Sequence, residues 1–344
     1  MKTIIFTFLA LIISSTPLLS QNNKFAIAIH GGAGNFTLES AEQKGLSVRE
    51  EVISMCLIEA EKMLKEGANA IDVVETVIKM MEDDPAFNAG KGSVMNNNEQ
   101  VETDAAIMDG KTMKAGAVAA LKNVKNPISA ARIVMDSSKH VMLVGTEETI
   151  NQLVAWKVET VSDDYFYVPN IYEKLIELKE IERQKKEKEK LRKQEKGSID
   201  NFGDENIKFG TVGCVVLDKN GNLAAGTSTG GTMNKLAGRV GDSPIIGAGT
   251  YANDKVAISC TGVGEFFIKL VAAYDVYSMY QYQNITLQKA VADFVNKKLI
   301  KENGAYGGII AVDHKGNIAI DFNTSGMYRG YLKEGESKVV KSFK

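Results

Sequence analysis

One β-hairpin can be predicted from local sequence alone, and it limits the folds open to this chain. The pair Asn220-Gly221 stands between two apolar runs, the first beginning at Thr211 and the second ending at Thr229. Asn-Gly in this setting favours a tight turn between antiparallel strands. A two-residue loop would place Thr211 opposite residue 230. The hairpin therefore predicts that Thr211 and Thr229 lie within one residue of each other on adjacent strands.

The other apolar patterns occur in blocks of like elements. Period-two and continuous apolar runs predict strands over 24–30, 101–108 and 115–121, and a second hairpin over 309–322. Helical spacing predicts helices over 52–64, 70–81, 127–135, 265–280 and 287–301. Blocks of strands and helices with antiparallel pairing are typical of a layered α+β fold.

A charged segment, 180–196, separates the two apolar halves. It contains eight basic and five acidic residues, and residues 197–210 after it are polar and glycine-containing. Mixed charges of this kind indicate a solvated helix or a tether; a nucleic-acid-binding patch is the alternative that they disfavour. The pattern predicts a flexible, protease-accessible segment over about 180–210, directly before Thr211.

Composition excludes several classes of function. The 344 residues carry a net charge of −2, with 44% hydrophobic and 24% charged residues. These are ordinary values for a globular protein, and they provide no bulk attraction for nucleic acid or an anionic membrane. The length is sufficient for one large domain.

The first twenty residues are typical of an export signal. Lys2 precedes the apolar run 4–13, and Ser20 precedes a plausible cleavage point before Gln21. The run is shorter than the about 20 residues of a transmembrane helix. We expect residues 1–20 to be a signal peptide and the product to be secreted or periplasmic; the alternative is an uncleaved N-terminal anchor.

Familiar catalytic and metal-binding patterns are absent from the sequence. It has no G-x-S-x-G elbow, no Walker A loop, no convincing dinucleotide fingerprint and no H-E-x-x-H pair. The three histidines are too scattered to predict a metal site. The three cysteines lie in apolar runs and predict buried thiols without disulfide or metal roles: Cys56, Cys214 and Cys260.

A nucleophile can instead arise at the step Gly210-Thr211. It is the only Gly-Thr step with a charged segment before it and a predicted strand after it. If the bond before Thr211 were broken, the new α-amino group would have a reference pKa of about 7.7–8.0. Such an amine can activate the hydroxyl of its own residue.

Two later loops provide complementary groups. Arg239 and Asp242 lie three residues apart on a glycine-flanked loop, and they suit the carboxylate and ammonium of an α-amino acid. A surface ion pair is the alternative. The sequence Thr261-Gly262-Val263-Gly264 ends a predicted strand before a helix, where backbone N–H groups favour an anion or a developing oxyanion.

Seven motifs, in order, resemble the plant-type L-asparaginase / isoaspartyl peptidase family of N-terminal-nucleophile hydrolases. They cover nearly all of the chain after the signal except the tether. The motifs are His30-Gly-Gly-Ala-Gly34, Phe87-Asn-Ala-Gly90, Asp104-Ala-Ala-Ile-Met-Asp-Gly110, Gly210-Thr-Val-Gly213, Thr227-Ser-Thr-Gly-Gly231, Gly238-Arg-Val-Gly-Asp-Ser-Pro244 and Cys260-Thr-Gly-Val-Gly264.

The resemblance implies a four-layer αββα sandwich made as a precursor that cuts itself between Gly210 and Thr211. An α subunit, 21–210, and a β subunit, 211–344, would stay together as one structural domain. Pairs of such heterodimers would associate as (αβ)2. The implied substrates are small molecules, L-asparagine and β-aspartyl dipeptides, hydrolysed through an acyl-enzyme without a catalytic cofactor.

The resemblance also implies roles for individual residues. Thr211 is the nucleophile and Thr229 positions it, with Asn88 as a further support. Thr261 and the Gly262 N–H form the oxyanion hole. The substrate-binding residues are Arg239 for the α-carboxylate, Asp242 for the α-ammonium, Gly262 and Gly264. A structural Na+ would bind to main-chain carbonyls of Met81, Glu82, Asp84, Phe87, Ala89 and Lys91.

Two other functions remain open at this point. Glycosylasparaginase shares the threonine nucleophile and the Arg239–Asp242 loop, although the motifs beginning at His30 and Thr227 favour the isoaspartyl branch. A periplasmic amino-acid-binding relative that retains the pocket without turnover is the second alternative.

Overall fold

The structure is a computed structural model that describes residues 24–43, 46–192 and 210–344. The predicted signal peptide, 1–20, lies outside these residues, as does the part of the predicted tether over 193–209. The described residues form a mixed fold of helices and two β-sheets, in agreement with an α+β class. No helix within the described ranges is long and apolar enough to cross a membrane.

The strands of the described residues form one eight-stranded and one four-stranded sheet. The larger sheet has the order β12-β11-β1-β5-β6-β2-β3-β4, and the smaller has the order β10-β9-β8-β7. The strands are β1 Ala26–Gly34, β2 Thr103–Asp109, β3 Ala115–Leu121, β4 Met142–Val144, β5 Val212–Leu217, β6 Leu223–Thr229, β7 Thr250–Ala252, β8 Val256–Gly262, β9 Gly307–Asp313, β10 Ile318–Phe322, β11 Gly326–Lys333 and β12 Val339–Phe343.

Helices cover both sheets. Along β1, Ile27 and Ile29 belong to a core shared with α2, α3 and α4, whereas Ala26 and Ala28 belong to a core shared with the smaller sheet, α8 and α9. Successive strand residues point to opposite faces, so the inner strands of the larger sheet contribute to both cores, whereas its edge strands β4 and β12 contribute only to the core that contains α2, α3 and α4. The helices are α1 Leu38–Gln43, α2 Leu46–Lys65, α3 Ala70–Glu82, α4 Pro127–Ser137, α5 Glu147–Ala155, α6 Pro169–Arg192, α7 Gly264–Leu270, α8 Ala272–Tyr282 and α9 Leu287–Asp293.

The hairpin β5–β6 forms, but its predicted register is wrong by one residue. Val212 pairs with Ser228 and Leu217 with Leu223, and the N–H of Asp218 donates to the carbonyl of Asn222 at 2.9 Å, so three residues, 219–221, form the loop. The carboxylate of Asp218 accepts the N–H groups of residues 220 and 222, each at 2.9 Å, and Gly221 has a φ of +80°. A buried aspartate thus stabilises a longer loop with a left-handed glycine. The register consequently places Thr211 directly opposite Thr229.

Three further differences concern helices. The predicted helix over 265–280 is broken at Val271, whose φ of +48° separates α7 from α8. The helix predicted over 287–301 is regular only through Asp293 and continues as a π turn and a 3₁₀ turn. Helix α6 begins well before the charged segment and ends at Arg192, and its side chains over 183–188 are exposed.

The predicted burial of the three cysteines is confirmed. Cys56, Cys214 and Cys260 are buried and free. Burial raises the pKa of the Cys56 thiol to about 12. Since the thiolate is the reactive form, these side chains act as small apolar groups.

Candidate active site

Two threonine hydroxyls meet at the start of β5. Thr211 Oγ1 donates to Thr229 Oγ1 at 3.1 Å, and the N–H of Gly231 donates to the same oxygen at 3.0 Å. Thr211 is 9% exposed and Thr229 is 3% exposed. The hydroxyl of Thr211 is therefore held in a fixed direction at the wall of a pocket that water can reach.

The pocket brings together most of the residues predicted from the sequence. Its wall also contains residues that the sequence analysis did not single out, among them Ala33, Ser243 and Tyr306. The predicted residues that line it are Gly210, Thr211, Thr229, Arg239, Asp242, Thr261, Gly262 and Gly264.

Glycines at the end of β1 allow the chain to pass close to Gly210. Gly32 has a φ of +105°, and a Cβ atom on either Gly32 or Gly210 would collide with the backbone of the other. A larger residue at either position would displace the peptide that precedes Thr211. Close backbone packing accounts for glycine at position 32, whereas a Cβ atom on Gly31 would collide with the Phe87 ring.

Asp242 provides a buried carboxylate that lacks a complete set of partners. Its Oδ2 atom has no hydrogen-bond partner among the described residues. Burial raises the pKa of Asp242 to about 7, although a backbone hydrogen bond and the Arg239 charge oppose this shift. Because a buried, unpaired carboxylate is costly, the arrangement favours a cationic ligand.

Arg239 lies beside Asp242, but its hydrogen-bonded partner is Glu265. The guanidinium donates through Nε and Nη2 to the two carboxylate oxygens of Glu265, each at 2.9 Å. The Nη1 atom lies on the other side, next to Gly231 and Gly241 in the pocket wall. A ligand carboxylate can therefore reach Arg239 at Nη1 while Glu265 orients the guanidinium.

Glycine at position 264 leaves the room that these charges need. A Cβ atom there would lie 2.8 Å from Asp242 Oδ1 and 3.1 Å from Arg239 Nη2. Gly264 also begins helix α7, whose N-terminal end carries a partial positive charge. The residue thus sets the depth of the subsite beside Asp242.

Thr261 and Gly262 end strand β8 at the same pocket. Thr261 is 1% exposed, and Gly262 has a φ of +150°. A Cβ atom on Gly262 would collide with the carbonyl of Tyr306. The sheet therefore requires glycine here.

Asn88 lies behind the Thr229 strand end. Its Nδ2 donates to the carbonyl of Gly231 at 2.7 Å, its Oδ1 accepts the N–H of Val94 at 3.0 Å, and its carbonyl accepts the N–H of Gly230 at 3.1 Å. The side chain fixes the turn whose Gly231 N–H binds Thr229. Asn88 thus supports the Thr211–Thr229 pair indirectly, because it fixes the backbone of residues 230–231.

The predicted sodium loop lies between helix α3, which ends with Met81 and Glu82, and the 3₁₀ turn Gly90–Gly92. A Cβ atom on Gly92 would collide with the carbonyl oxygen of Phe87 and approach that of Pro85, so carbonyls crowd this turn. The charge of Lys91 lies 5.5 Å from the centroid of the Tyr165 ring. The described residues contain no group of three acidic, histidine or cysteine side chains that could bind a metal ion. The ligands predicted for this loop are main-chain carbonyls; its remaining predicted members are Asp84 and Ala89.

The sequence analysis missed a buried pair of charges beneath the Arg239–Asp242 loop. Asp104 pairs across the sheet with Thr229, is fully buried, and accepts the N–H of Ala120 at 2.8 Å. Lys235 is 5% exposed and donates to the carbonyl of Glu102 at 2.9 Å. Burial raises the pKa of Asp104 and lowers that of Lys235, and the charge of each opposes the shift of the other. The signal that could have revealed this buried pair was an aspartate inside the apolar run 101–108.

Known proteins with similar sequences include enzymes. A family model described as asparaginase matches residues 23–341. Isoaspartyl peptidase of Escherichia coli (strain K12) is 44% identical over 318 residues, which cover 91% of this chain and 94% of that protein. Probable isoaspartyl peptidase/L-asparaginase 2 of Arabidopsis thaliana is 40% identical, with 90% of this chain and 96% of the relative covered. Plant-type L-asparaginase of Pyrococcus abyssi is 41% identical, with 90% and 97% covered.

The family match and these relatives confirm the resemblance that the seven motifs indicated. They span the Gly210–Thr211 step, the Arg239–Asp242 loop and both sheets. The chain is a hydrolase that belongs to the asparaginase family.

Proposed function

We propose that this chain is an autoprocessing threonine hydrolase that cleaves β-aspartyl dipeptides and hydrolyses L-asparagine to L-aspartate and ammonia. The observation that supports it most is the hydroxyl contact of 3.1 Å between Thr211 and Thr229, in the pocket that also contains the unpartnered Asp242 carboxylate oxygen. The names of the relatives in E. coli and A. thaliana support the same substrates.

The first reaction in this proposal is self-cleavage. The Thr211 hydroxyl attacks the carbonyl carbon of Gly210, and the peptide C–N bond breaks to leave an ester and a free α-amino group. Water then hydrolyses the ester, which releases the Gly210 carboxylate and regenerates the hydroxyl. The products are the α subunit, 21–210, and the β subunit, 211–344.

The second reaction uses the new α-amino group as the base. It accepts the proton of the Thr211 hydroxyl while the oxygen attacks the side-chain carbonyl of the substrate. The Thr261 hydroxyl and the Gly262 N–H bind the oxyanion. The base then protonates the leaving ammonia or amino acid, and water hydrolyses the acyl-enzyme to release L-aspartate.

The aspartyl head of the substrate fits the charges of the pocket. Its ammonium lies at Asp242, and its α-carboxylate lies at Arg239 Nη1 and beside Gly264. Because these groups bind only the aspartyl part, the leaving group can be ammonia or an amino acid. One pocket thus serves both substrates.

The proposal extends to architecture, assembly and location. The two sheets between helices correspond to the αββα sandwich of N-terminal-nucleophile hydrolases, and two αβ units associate as (αβ)2. A structural Na+ fits the carbonyl-rich loop around 81–91. There it would stabilise the loop that carries Asn88, and it would take no part in the reaction. The protein is exported to the periplasm or the medium after removal of 1–20.

The test is intact mass and N-terminal sequencing of the purified protein after incubation at neutral pH, followed by substrate assays. We expect one fragment that begins at Thr211, one that ends at Gly210, and hydrolysis of a β-aspartyl dipeptide and L-asparagine. An uncut chain without hydrolysis would favour the amino-acid-binding alternative. Faster hydrolysis of glycosylated asparagine than of β-aspartyl dipeptides would assign glycosylasparaginase activity.

Binding of L-aspartate is expected to depend on pH through Asp242. With a pKa of about 7 in the empty pocket, this carboxyl becomes neutral as the pH falls and no longer attracts the ligand ammonium. The Kd should therefore rise about tenfold per pH unit below 7 and level off above it. The ligand keeps its own charges between pH 5.5 and 8, so titration calorimetry over this range reports on the protein. Equal affinity at pH 5.5 and 8 would contradict the prediction.

A further inference from the structure

A buried chain of side chains connects the two sheets and ends on the backbone of Thr211. His30 Nδ1 lies 3.0 Å from the carbonyl oxygen of Thr211, and its Nε2 lies 2.9 Å from Ser259 Oγ. Ser259 Oγ lies 2.7 Å from Thr227 Oγ1, which accepts from Thr250 Oγ1 at 2.6 Å. His30 and the three hydroxyl residues are completely buried.

The Thr211 carbonyl at one end of this chain of side chains determines which atom donates in each hydrogen bond. A carbonyl oxygen only accepts, so His30 Nδ1 must carry the hydrogen. Burial lowers the pKa of His30 to about 3, so the ring is neutral and its Nε2 is an acceptor. The Ser259 hydroxyl therefore donates to Nε2, and Thr227 donates to Ser259. One imidazole tautomer is compatible with these four contacts. The carbonyls of Gly249, 3.2 Å from Thr227 Oγ1, and of Ser243, 3.0 Å from Thr250 Oγ1, are further acceptors within reach of the two threonine hydroxyls.

Thr211 needs this contact because it lies outside the paired part of its strand. The ladder of β5 begins at Val212 on the β6 side and at Gly213 on the β1 side. Self-cleavage removes the covalent attachment on the amino side of Thr211. The carbonyl bond to His30 and the hydroxyl bond to Thr229 then fix the orientation of the terminal residue from two sides.

Gly213 is adapted to the same arrangement. It pairs with His30 across the sheet, and a Cβ atom on it would collide with Ser259 Oγ and His30 Nε2. The last glycine of the Gly210–Gly213 motif thus leaves space for the histidine–serine contact.

We propose that His30 is a positioning residue for the reaction: as the Nδ1–H tautomer that the Thr211 carbonyl requires, it holds the Thr211 nucleophile through this main-chain carbonyl. The inference rests on the proposed function, and it assigns to His30 no contact with the substrate. It predicts a loss of turnover rather than of substrate binding when the Nδ1 donor is removed.

Two substitutions test the two ring nitrogens of His30 separately. In His30→Asn the amide nitrogen can occupy the position of Nδ1 and donate to Thr211, whereas in His30→Gln the amide reaches only the position of Nε2. We expect kcat of His30→Gln to fall about 100-fold, as for a displaced reacting group. KM and the Kd for L-aspartate should change less than threefold, and His30→Asn should retain kcat within about tenfold of wild type.

Equal kcat for His30→Gln and wild type would overturn the inference, as would equal losses in both variants accompanied by weaker L-aspartate binding. If the wild type is active and His30→Gln has the same kcat, this inference fails but the proposed function still stands. A wild type without hydrolysis would overturn the proposed function and this inference with it.

A second measurement needs no substitution at His30. The chain has three histidines, so ¹⁵N-histidine labelling gives few ring signals to assign. We expect His30 to show the neutral Nδ1–H form down to about pH 4, both in the wild type and in Ser259→Ala, because the Thr211 carbonyl remains as the acceptor of Nδ1–H in both proteins. A neutral Nε2–H form or a charged ring in the wild-type protein at pH 7 would refute the assignment.

Discussion

Replacing Thr211 with alanine is expected to leave a single uncut chain that hydrolyses neither L-asparagine nor β-aspartyl dipeptides. In the proposed mechanism, the substitution removes the hydroxyl that attacks the Gly210 carbonyl, and with it the formation of the α-amino base. Loss of a catalytic nucleophile lowers turnover roughly 10⁶-fold. Intact mass and a product assay on the same sample measure both effects.

Thr211→Ser is the matched control because it retains the hydroxyl. It should still cut, although its hydroxyl loses the rotamer restriction that the threonine methyl group provides. The fold of Thr211→Ala should be unaffected, since the side chain makes one hydrogen bond at the edge of a pocket. Hydrolysis by an uncut Thr211→Ala protein would contradict the mechanism.

Replacing Asp242 with asparagine is expected to abolish tight substrate binding while self-cleavage continues. The amide has the shape of the carboxylate but lacks the charge that attracts the ammonium. Truncating one partner of a buried charge pair costs about 2–4 kcal/mol, or roughly 30- to 1,000-fold in KM. Steady-state kinetics and L-aspartate titration measure the loss.

Self-cleavage should proceed in Asp242→Asn because the bond attacked belongs to the chain itself and needs no recognition of an amino acid. The thermal unfolding temperature should not fall, since the unpartnered oxygen of Asp242 has no stabilising contact to lose. Asp254→Asn is the matched control: this carboxylate is exposed and lies outside the pocket. Unchanged KM in Asp242→Asn would rule out the proposed ammonium site.

Local sequence was sufficient to predict the main elements around the pocket. Asn220-Gly221 predicted the hairpin, and the Arg239–Asp242 spacing predicted a loop of opposite charges that does line the pocket with Thr211. The register was wrong by one residue because Asp218 stabilises a longer loop, and a two-residue rule does not include that side chain.

Other features depend on contacts between distant parts of the chain. Nothing near Arg239 indicates that Glu265 would take two of its nitrogens, since the contact depends on how α7 packs. His30 looked uninformative when histidines were considered as metal ligands. Its partner Ser259 is 229 residues away in the chain, and only the packing of the two sheets brings them together.

The order of strands in the larger sheet has a consequence for the two fragments that the proposed self-cleavage would produce. Residues before Gly210 supply β1 to β4 and residues after it supply β5, β6, β11 and β12, with the β5–β6 pair inserted between β1 and β2. Neither set of strands forms a continuous sheet without the other. Dilution therefore cannot release one fragment intact, and mixing two cut preparations should not exchange fragments between molecules. If the chain cuts itself as proposed, it has to complete its fold before the cut, and afterwards it should remain a single cooperative unit made of two polypeptides.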